Sequence, residues 1–169
     1  MKKYLLLLSC LVSFSVLAQK AIPSPPAVVT QKVGTTEVMI KYAQPSAKGR
    51  LVFGTKEVKA LVPYGEVWRT GANEATTFEI SNDITVQGKT LAKGVYSLFS
   101  IPGASEWTII FNKEAKMWGA YTYKEANDVL RVKARVSEHA HTEQFTIAVS
   151  ATGQVTLDWD KSSVSFYLK

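Results

Sequence analysis

Apolar and polar residues alternate with a period of two through the second half of this chain, and no other feature constrains its fold as strongly. In residues 130–136 the alternation sets aliphatic side chains against three cations, which is the pattern of a strand with one buried face. The same period recurs in residues 145–149, 155–159 and 164–168, and one core is expected to collect their alternate side chains. These side chains are Phe145, Ile147, Val149, Val155, Leu157, Val164 and Phe166.

Signals for helices are weak along the whole chain. Thr55–Leu61 and Lys124–Asp128 are the two helical candidates, and each is too short to be a stable amphipathic helix. An aromatic-rich run at Gly119–Tyr123 is expected to be a further strand. About nine or ten strands at regular spacing predict an all-β fold, an antiparallel β-sandwich of which the jelly roll is one form. This domain is expected to span residues 27–169, after a proline-rich tether at residues 19–26.

The first residues have the order of a secretory signal peptide. Lys2 and Lys3 precede an apolar run over residues 5–17, and Val16 and Ala18 supply the small residues of a cleavage site. The apolar run is shorter than the roughly 20 residues that a membrane span needs. We therefore expect residues 1–18 to be removed, leaving an exported protein in the periplasm or outside the cell.

A lipoprotein is the alternative for this leader, because Leu7–Cys10 has the outline of a lipoprotein cleavage site. The apolar core before Cys10 would then be short for a signal peptide, so we favour cleavage after Ala18. Cys10 is the single cysteine of the chain. The mature protein therefore has no disulfide, no thiolate metal ligand and no cysteine nucleophile. No later apolar run has the length of a transmembrane segment.

The chain has a formal net charge of +6, and its cations concentrate in residues 41–69. Only Glu57 and Glu66 balance them there. This local excess is smaller than the basic surface of a nucleic-acid-binding protein, so we expect no nucleic-acid partner. An anionic glycan or an envelope surface fits such a patch better. The cations are Lys41, Lys48, Arg50, Lys56, Lys59 and Arg69.

The segment Leu61–Thr76 concentrates polar and aromatic residues without a period of two. Arg69, Asn73 and Glu74 can bind the hydroxyls or a carboxylate of a ligand, since Arg grips carboxylates and Asn both donates and accepts. The structural alternative is an Arg69–Glu74 ion pair that pins the loop while Trp68 fills the core. The hypothetical ligand site comprises Arg69, Asn73, Glu74, Tyr64, Trp68, Lys48 and Arg50, the last two from a Lys-Gly-Arg turn that is otherwise a solvated loop.

Other combinations of residues carry weaker chemical signals. His139 and His141, two residues apart with glutamates nearby, lack an identifiable third metal ligand, so we expect no metal and no cofactor. No nucleophile-elbow motif accompanies them. A pair of carboxylates for glycoside hydrolysis can be drawn from Glu66, Glu74 and Glu79. The four tryptophans, Trp68, Trp107, Trp118 and Trp159, indicate sugar stacking where they are exposed and core packing where they are buried.

The whole mature chain resembles the domain-of-unknown-function family 2911, which is found in exported bacterial proteins. The motifs LVPYG at 61–65 and WRTGANEAT at 68–76 are the most specific parts of this similarity. The resemblance implies an exported domain and brings no established activity. His139 and His141 lie outside the pattern. The other matching residues are Pro23, Ser24, Pro25, Gln31, Gly34, Lys48, Gly49, Arg50, Phe53, Gly54, Gly94, Tyr96, Phe99, Ile101, Pro102, Trp107, Ile110, Phe111, Asn112, Lys113, Trp118 and Gly119.

Three classes of function follow from the sequence. The favoured one is a non-enzymatic, envelope-associated or secreted domain that binds a glycan or another polar small molecule near Arg69, Asn73, Glu74 and Tyr64. The first alternative is a small hydrolase that uses Glu74 as acid or base, with Arg69 and Asn73 orienting the substrate. The second is a structural or protein-interaction module. The sequence leaves the oligomeric state open.

The leader generates the first prediction. N-terminal sequencing of the exported protein should begin near Gln19, because Val16 and Ala18 place the cleavage site just before it. A first residue at an acylated Cys10 would instead identify a lipoprotein.

Overall fold

A computed structural model describes residues 23–169, so the predicted signal peptide at residues 1–18 lies outside the described residues. The end of the predicted tether belongs to the domain, because the first strand already begins at Pro26. The strands are β1 (Pro26–Val33), β2 (Thr36–Ala43), β3 (Phe53–Gly54), β4 (Val62–Pro63), β5 (Thr76–Ile80), β6 (Ile84–Val86), β7 (Lys89–Leu91), β8 (Gly94–Ile101), β9 (Glu106–Asn112), β10 (Asp128–Val149) and β11 (Gln154–Tyr167).

The all-β prediction is confirmed. Seven strands form one antiparallel sheet in the order β1-β2-β5-β8-β9-β10-β11, and β3-β4 and β6-β7 form two small pairs. Of the two helical candidates, the second contains one 3₁₀ turn at Glu125–Asn127, and the first contains only a turn. The strand expected at Gly119–Tyr123 is wrong, since these residues form turns against the outside of the sheet.

The 22-residue strand β10 curls the large sheet. Its first part, Asp128–Arg135, pairs with β9, and its second part, from Val136 to Val149, pairs with β11. The register with β11 shifts between Glu138 and Thr146, which is how bulges bend a strand. The two ends of the sheet therefore approach each other, and the Tyr42 hydroxyl of β2 accepts a hydrogen bond from the Ile147 amide at 3.0 Å.

The main core lies inside this curl and is rich in aromatic rings. Trp68 stacks on Trp159, with centroids 5.7 Å apart, and meets Trp107 and Phe145 edge to face. The residues predicted to point inward from β10 and β11 are buried there, apart from Val149, which is partly buried against the same core. The alternation in the sequence therefore predicted correctly which side chains of these strands point into the core.

Strands β8 and β9 are buried on both faces, unlike the rest of the sheet. Leu98 and Phe111 point into the main core, whereas Phe99 and Ile110 point outward into a second apolar cluster. The segment 113–127 covers that cluster with Met117 and the ring of Tyr123. None of the described residues belongs to a helix long and apolar enough to cross a membrane.

Replacement of Ile147 by alanine should lower the free energy of unfolding by roughly 2–5 kcal/mol, because its side chain is buried among core rings and the cavity would not refill. Chemical denaturation measures this difference. Val129→Ala is the matched control on the same strand, where a side chain 48% exposed should change stability by no more than about 0.5 kcal/mol. Equal effects of the two substitutions would contradict the assigned face of β10.

Candidate functional site

About half of the motif at residues 68–76 is buried, and hydrogen bonds within and around it hold it in a tight turn. The Trp68 indole donates to the Gly71 carbonyl at 3.0 Å, and the Thr70 hydroxyl donates to the Ser100 hydroxyl at 2.9 Å. The Thr76 hydroxyl donates to the Thr70 carbonyl at 2.6 Å and closes the turn. Because these groups are buried, each needs its partner, so this part of the motif is architecture.

The backbone of this turn is strained. Thr70 has φ +51°, which is unusual for a β-branched residue. Asn73 has φ +60°, a value that asparagine adopts more readily. Gly71 has no room for a side chain, since a Cβ there would lie 3.1 Å from the Ala43 carbonyl oxygen. The turn therefore lies directly on β2, and Asn73 and Glu74 leave it exposed to solvent.

A second segment pairs with the turn. The Ala75 amide donates to the Met117 carbonyl at 2.8 Å, and the Gly119 amide donates to the Asn73 carbonyl at 3.0 Å. This short ladder places Glu74 opposite Trp118. Backbone bonds thus fix both residues, and their side chains need not contribute to holding the ladder together.

Asp128 anchors the covering segment 113–127 at its far end. Its carboxylate accepts hydrogen bonds from the Tyr123 hydroxyl at 2.6 Å, from Arg131 Nε at 2.7 Å and from Asn112 Nδ2 at 2.7 Å. Burial, together with the nearby Asp128 carboxylate, raises the pKa of Tyr123 to about 12, so its hydroxyl remains a donor at neutral pH. The segment that carries Trp118 is therefore held firmly at both ends.

The covering segment ends part-way across the outer face of the sheet and leaves an open groove of about 1100 Å³ beside it. On β8, the outward side chain of Val95 is exposed on the groove floor, whereas the next outward residue, Ser97, is buried and donates to the Glu114 carbonyl at 2.6 Å. The floor carries Val28, Lys41, Thr77, Glu79 and Val95, and the wall carries Asn73, Glu74, Lys116, Met117 and Trp118.

Trp118 is the residue of this wall that sequence reasoning did not place in the site. It is 63% exposed, whereas Trp68, Trp107 and Trp159 are buried. Of the four tryptophans, only Trp118 is therefore exposed enough to offer a ring face to a ligand. Trp118 lies in a segment without a period of two, so the sequence defines no inward face there. This was the available signal that its side chain is exposed.

The structure separates Arg69 from Asn73 and Glu74. Arg69 lines a different cavity of about 140 Å³ and does not line the groove. No carboxylate among residues 23–169 forms an ion pair with it, so the Arg69–Glu74 pair of the structural alternative is not formed. Its Nε is buried without a hydrogen-bond partner in the described part of the chain. Its Nη1 would lie 2.8 Å from a Cβ at Gly119, whose φ is +68°.

The other residues of the hypothetical site lie outside the groove. Trp68 is buried in the main core, as the structural alternative required, and Tyr64 packs half-buried against that core. Arg50 donates to the Ala47 and Ser46 carbonyls of its own loop. Lys48 is exposed, and its amide donates to the Glu143 carboxylate at 2.8 Å.

The histidines lie on the bulged part of β10, next to carboxylates of β11. His141 Nδ1 is 2.9 Å from an Asp160 oxygen, and its Nε2 is 3.5 Å from Glu143. His139 Nε2 is 4.0 Å from Asp158. Within residues 23–169, no set of three or more potential ligands is arranged to hold a metal ion. These are contacts of the protein with itself, and the histidine–carboxylate contacts are ion pairs only when the histidine is protonated.

Two of the three carboxylates considered for hydrolysis share the groove. Glu74 and Glu79 both line it, whereas Glu66 is near Lys56, with Oε1 and Nζ 3.6 Å apart. The sequence could not pair Glu74 with Glu79, because their proximity depends on the turn at 68–76 lying against the sheet.

The fold and the groove define an all-β protein with an open groove on the outer face of its sheet, bordered on one side by an exposed tryptophan and polar side chains. The chain belongs to the family described as a protein of unknown function, DUF2911, whose model matches residues 24–168. Neither the curated proteins nor the solved structures gave a match.

The buried hydrogen bond that closes the 68–76 turn can be tested directly. Thr76→Val should lower the free energy of unfolding by about 1–3 kcal/mol, because it leaves the Thr70 carbonyl without the hydroxyl partner. Thr77→Val is the neighbouring control, a half-buried threonine on the opposite face of β5, and should change stability by less than about 0.5 kcal/mol. A neutral Thr76→Val would show that the turn does not depend on this bond.

Proposed function

We propose that the groove binds a glycan or another polar small molecule, with Trp118, Asn73 and Glu74 as the recognising side chains. The observation that carries this proposal is the exposed indole of Trp118 on the wall of an open groove, opposite Glu74 in the ladder. A sugar ring presents an apolar face that stacks on an indole and hydroxyls that need polar partners. The wall offers both kinds of group side by side.

The rigidity of the wall supports a binding role. The side chains of Asn73 and Glu74 make no hydrogen bond or ion pair among the described residues, so they do not stabilise the fold in that way. The strained turn nevertheless places both residues at the groove. Strained backbone conformations, such as that of Thr70 in this turn, cluster at active sites and ligand-binding sites. Preorganised groups also lose less conformational entropy when a ligand binds.

We also propose that the protein acts outside the cytoplasm, after removal of residues 1–18. Support comes from the basic, apolar and small-residue order of the leader. A glycan or another polar molecule of the cell envelope is then the ligand class the groove would meet. The alternative of a lipid anchor at Cys10 would leave the groove available to the same ligands.

A glycoside hydrolase is the second candidate, favoured by the presence of Glu74 and Glu79 in the same groove. Hydrolysis of a glycosidic bond needs two carboxyl groups in two roles. Turnover of oligosaccharides that stops in both Glu74→Gln and Glu79→Gln would support it. Binding without turnover would favour the non-enzymatic function, and neither binding nor turnover would favour a structural or protein-interaction module.

The test of the proposed function is a thermal-shift screen of the purified protein against neutral and charged oligosaccharides, nucleotides and metal ions. A ligand that binds only the folded state raises the melting temperature with its concentration. Trp118→Ala should abolish the shift for the positive ligands. Tyr167→Ala, which removes an aromatic side chain that is 47% exposed outside the groove, is the control and should leave the shift intact.

Glu74→Gln separates a recognition role from a structural one. Its side chain is exposed and has no ion-pair partner in the described chain, so we expect the melting temperature without ligand to stay unchanged. Ligand response should fall, because the amide cannot replace the charge-assisted hydrogen bonds of the carboxylate. Lost stability with an intact ligand response would contradict this assignment.

A further inference from the structure

Four charged side chains line the groove, two of each sign. Lys41 and Glu79 stand on its floor, and Lys116 and Glu74 stand on its wall. None of the four forms an ion pair within 4 Å with any of residues 23–169. The other ion pairs of the described chain show that nearby surface charges do pair here, as Lys133 does with Glu106 at 3.4 Å.

The strand register places the two floor charges close together. Lys41 pairs with Thr77, and Met39 pairs with Glu79, so Lys41 and Glu79 are diagonal neighbours on the same outward face. Diagonal neighbours in an antiparallel pair are about 7–8 Å apart. A single ligand spanning the floor can therefore contact an ammonium group and a carboxylate at once.

Apolar residues beside the four charged side chains increase their effect on which ligands the groove selects. Val28 and Val95 on the floor and Trp118 on the wall would be covered by a bound ligand, which displaces the water around the four charges. Hydroxyl groups can hydrogen-bond to the charges but do not neutralise them, so a ligand that also brings the matching counter-charges is favoured over a neutral one. A ligand with only one sign of charge would satisfy one pair and be repelled by the other.

We infer that the groove takes a ligand of mixed charge: a glycan or glycan-like molecule that carries a carboxylate for Lys41 and Lys116 and an ammonium group for Glu79 and Glu74. This inference rests on the proposed function and names the chemical class within it. Trp118 stacks on the ring, and the charges of the groove select its substituents. Charge complementarity of this kind contributes more to specificity than to total affinity.

Four oligosaccharides of matched length test the inference, because they vary the two charges independently. A chitin oligosaccharide is neutral, a chitosan oligosaccharide has free amines, a hyaluronan oligosaccharide has carboxylates, and the same hyaluronan after N-deacetylation has both. Isothermal titration calorimetry with the purified protein should give the tightest binding for the last one. Each matched charge should improve affinity about fivefold, the scale of a partly exposed ion pair. Raised salt should reduce the preference.

Substitutions assign each preference to its residue. The double substitution Lys41→Gln/Lys116→Gln should remove the gain from the carboxylate and keep the gain from the amine, and Glu79→Gln/Glu74→Gln should do the reverse. Lys113→Gln and Glu138→Gln, exposed charges outside the groove, are the matched controls and should keep both gains.

The outcomes separate this inference from the proposed function. Equal binding of all four oligosaccharides, still abolished by Trp118→Ala, would overturn the mixed-charge inference and leave glycan binding standing. A preference that survives in Lys41→Gln/Lys116→Gln and in Glu79→Gln/Glu74→Gln would also overturn it. Absence of binding by all four would overturn the inference and remove glycans from the proposed function.

Discussion

The burial of β8 and β9 on both faces determines where the groove lies. Phe99 and Ile110 point away from the main core, and leaving such side chains in water would cost the hydrophobic stabilisation that the fold depends on. The segment 113–127 covers them, but it stops short of Val95 on the same face of β8. The edge of the segment 113–127 therefore rises above the outer face of the sheet and forms the wall of the groove.

Buried residues flank two exposed residues within the motif at residues 68–76. Trp68, Thr70 and Thr76 are buried and bonded, while Asn73 and Glu74 are exposed and make no side-chain bonds in the described chain. The bonded residues hold a strained turn on which the exposed residues stand. A connection between a core tryptophan and a strand needs only the first set, and for this reason the proposed function assigns recognition to the second set.

The sequence predicted the fold class well and the site in part. The period of two in β10 and β11 was sufficient to assign the inward face, because one face of that part of the sheet is buried and the other is exposed. The run at Gly119–Tyr123 was misassigned since aromatic residues favour strands and equally suit a cover over Phe99. Asn73 and Glu74 were found as polar residues in an aperiodic segment. Lys41 is far in sequence from Lys116 and Trp118, and these residues line one groove only through the sheet register and the ladder.

The position of Arg69 shows that residues close together in the sequence of this turn need not share a site. Arg69 precedes Asn73 by four residues, yet the turn at Thr70 and Gly71 directs its guanidinium towards Gly119 and a separate small cavity. Its buried Nε makes no bond in the described chain, so Arg69 contributes packing there rather than an ion pair with Glu74. The carboxylate of Glu74 consequently faces the groove without the cation that the sequence suggested as its partner. No protein charge neutralises this exposed carboxylate within ion-pair distance in the described chain, so in the mixed-charge ligand that we infer the ammonium group is the partner assigned to Glu74.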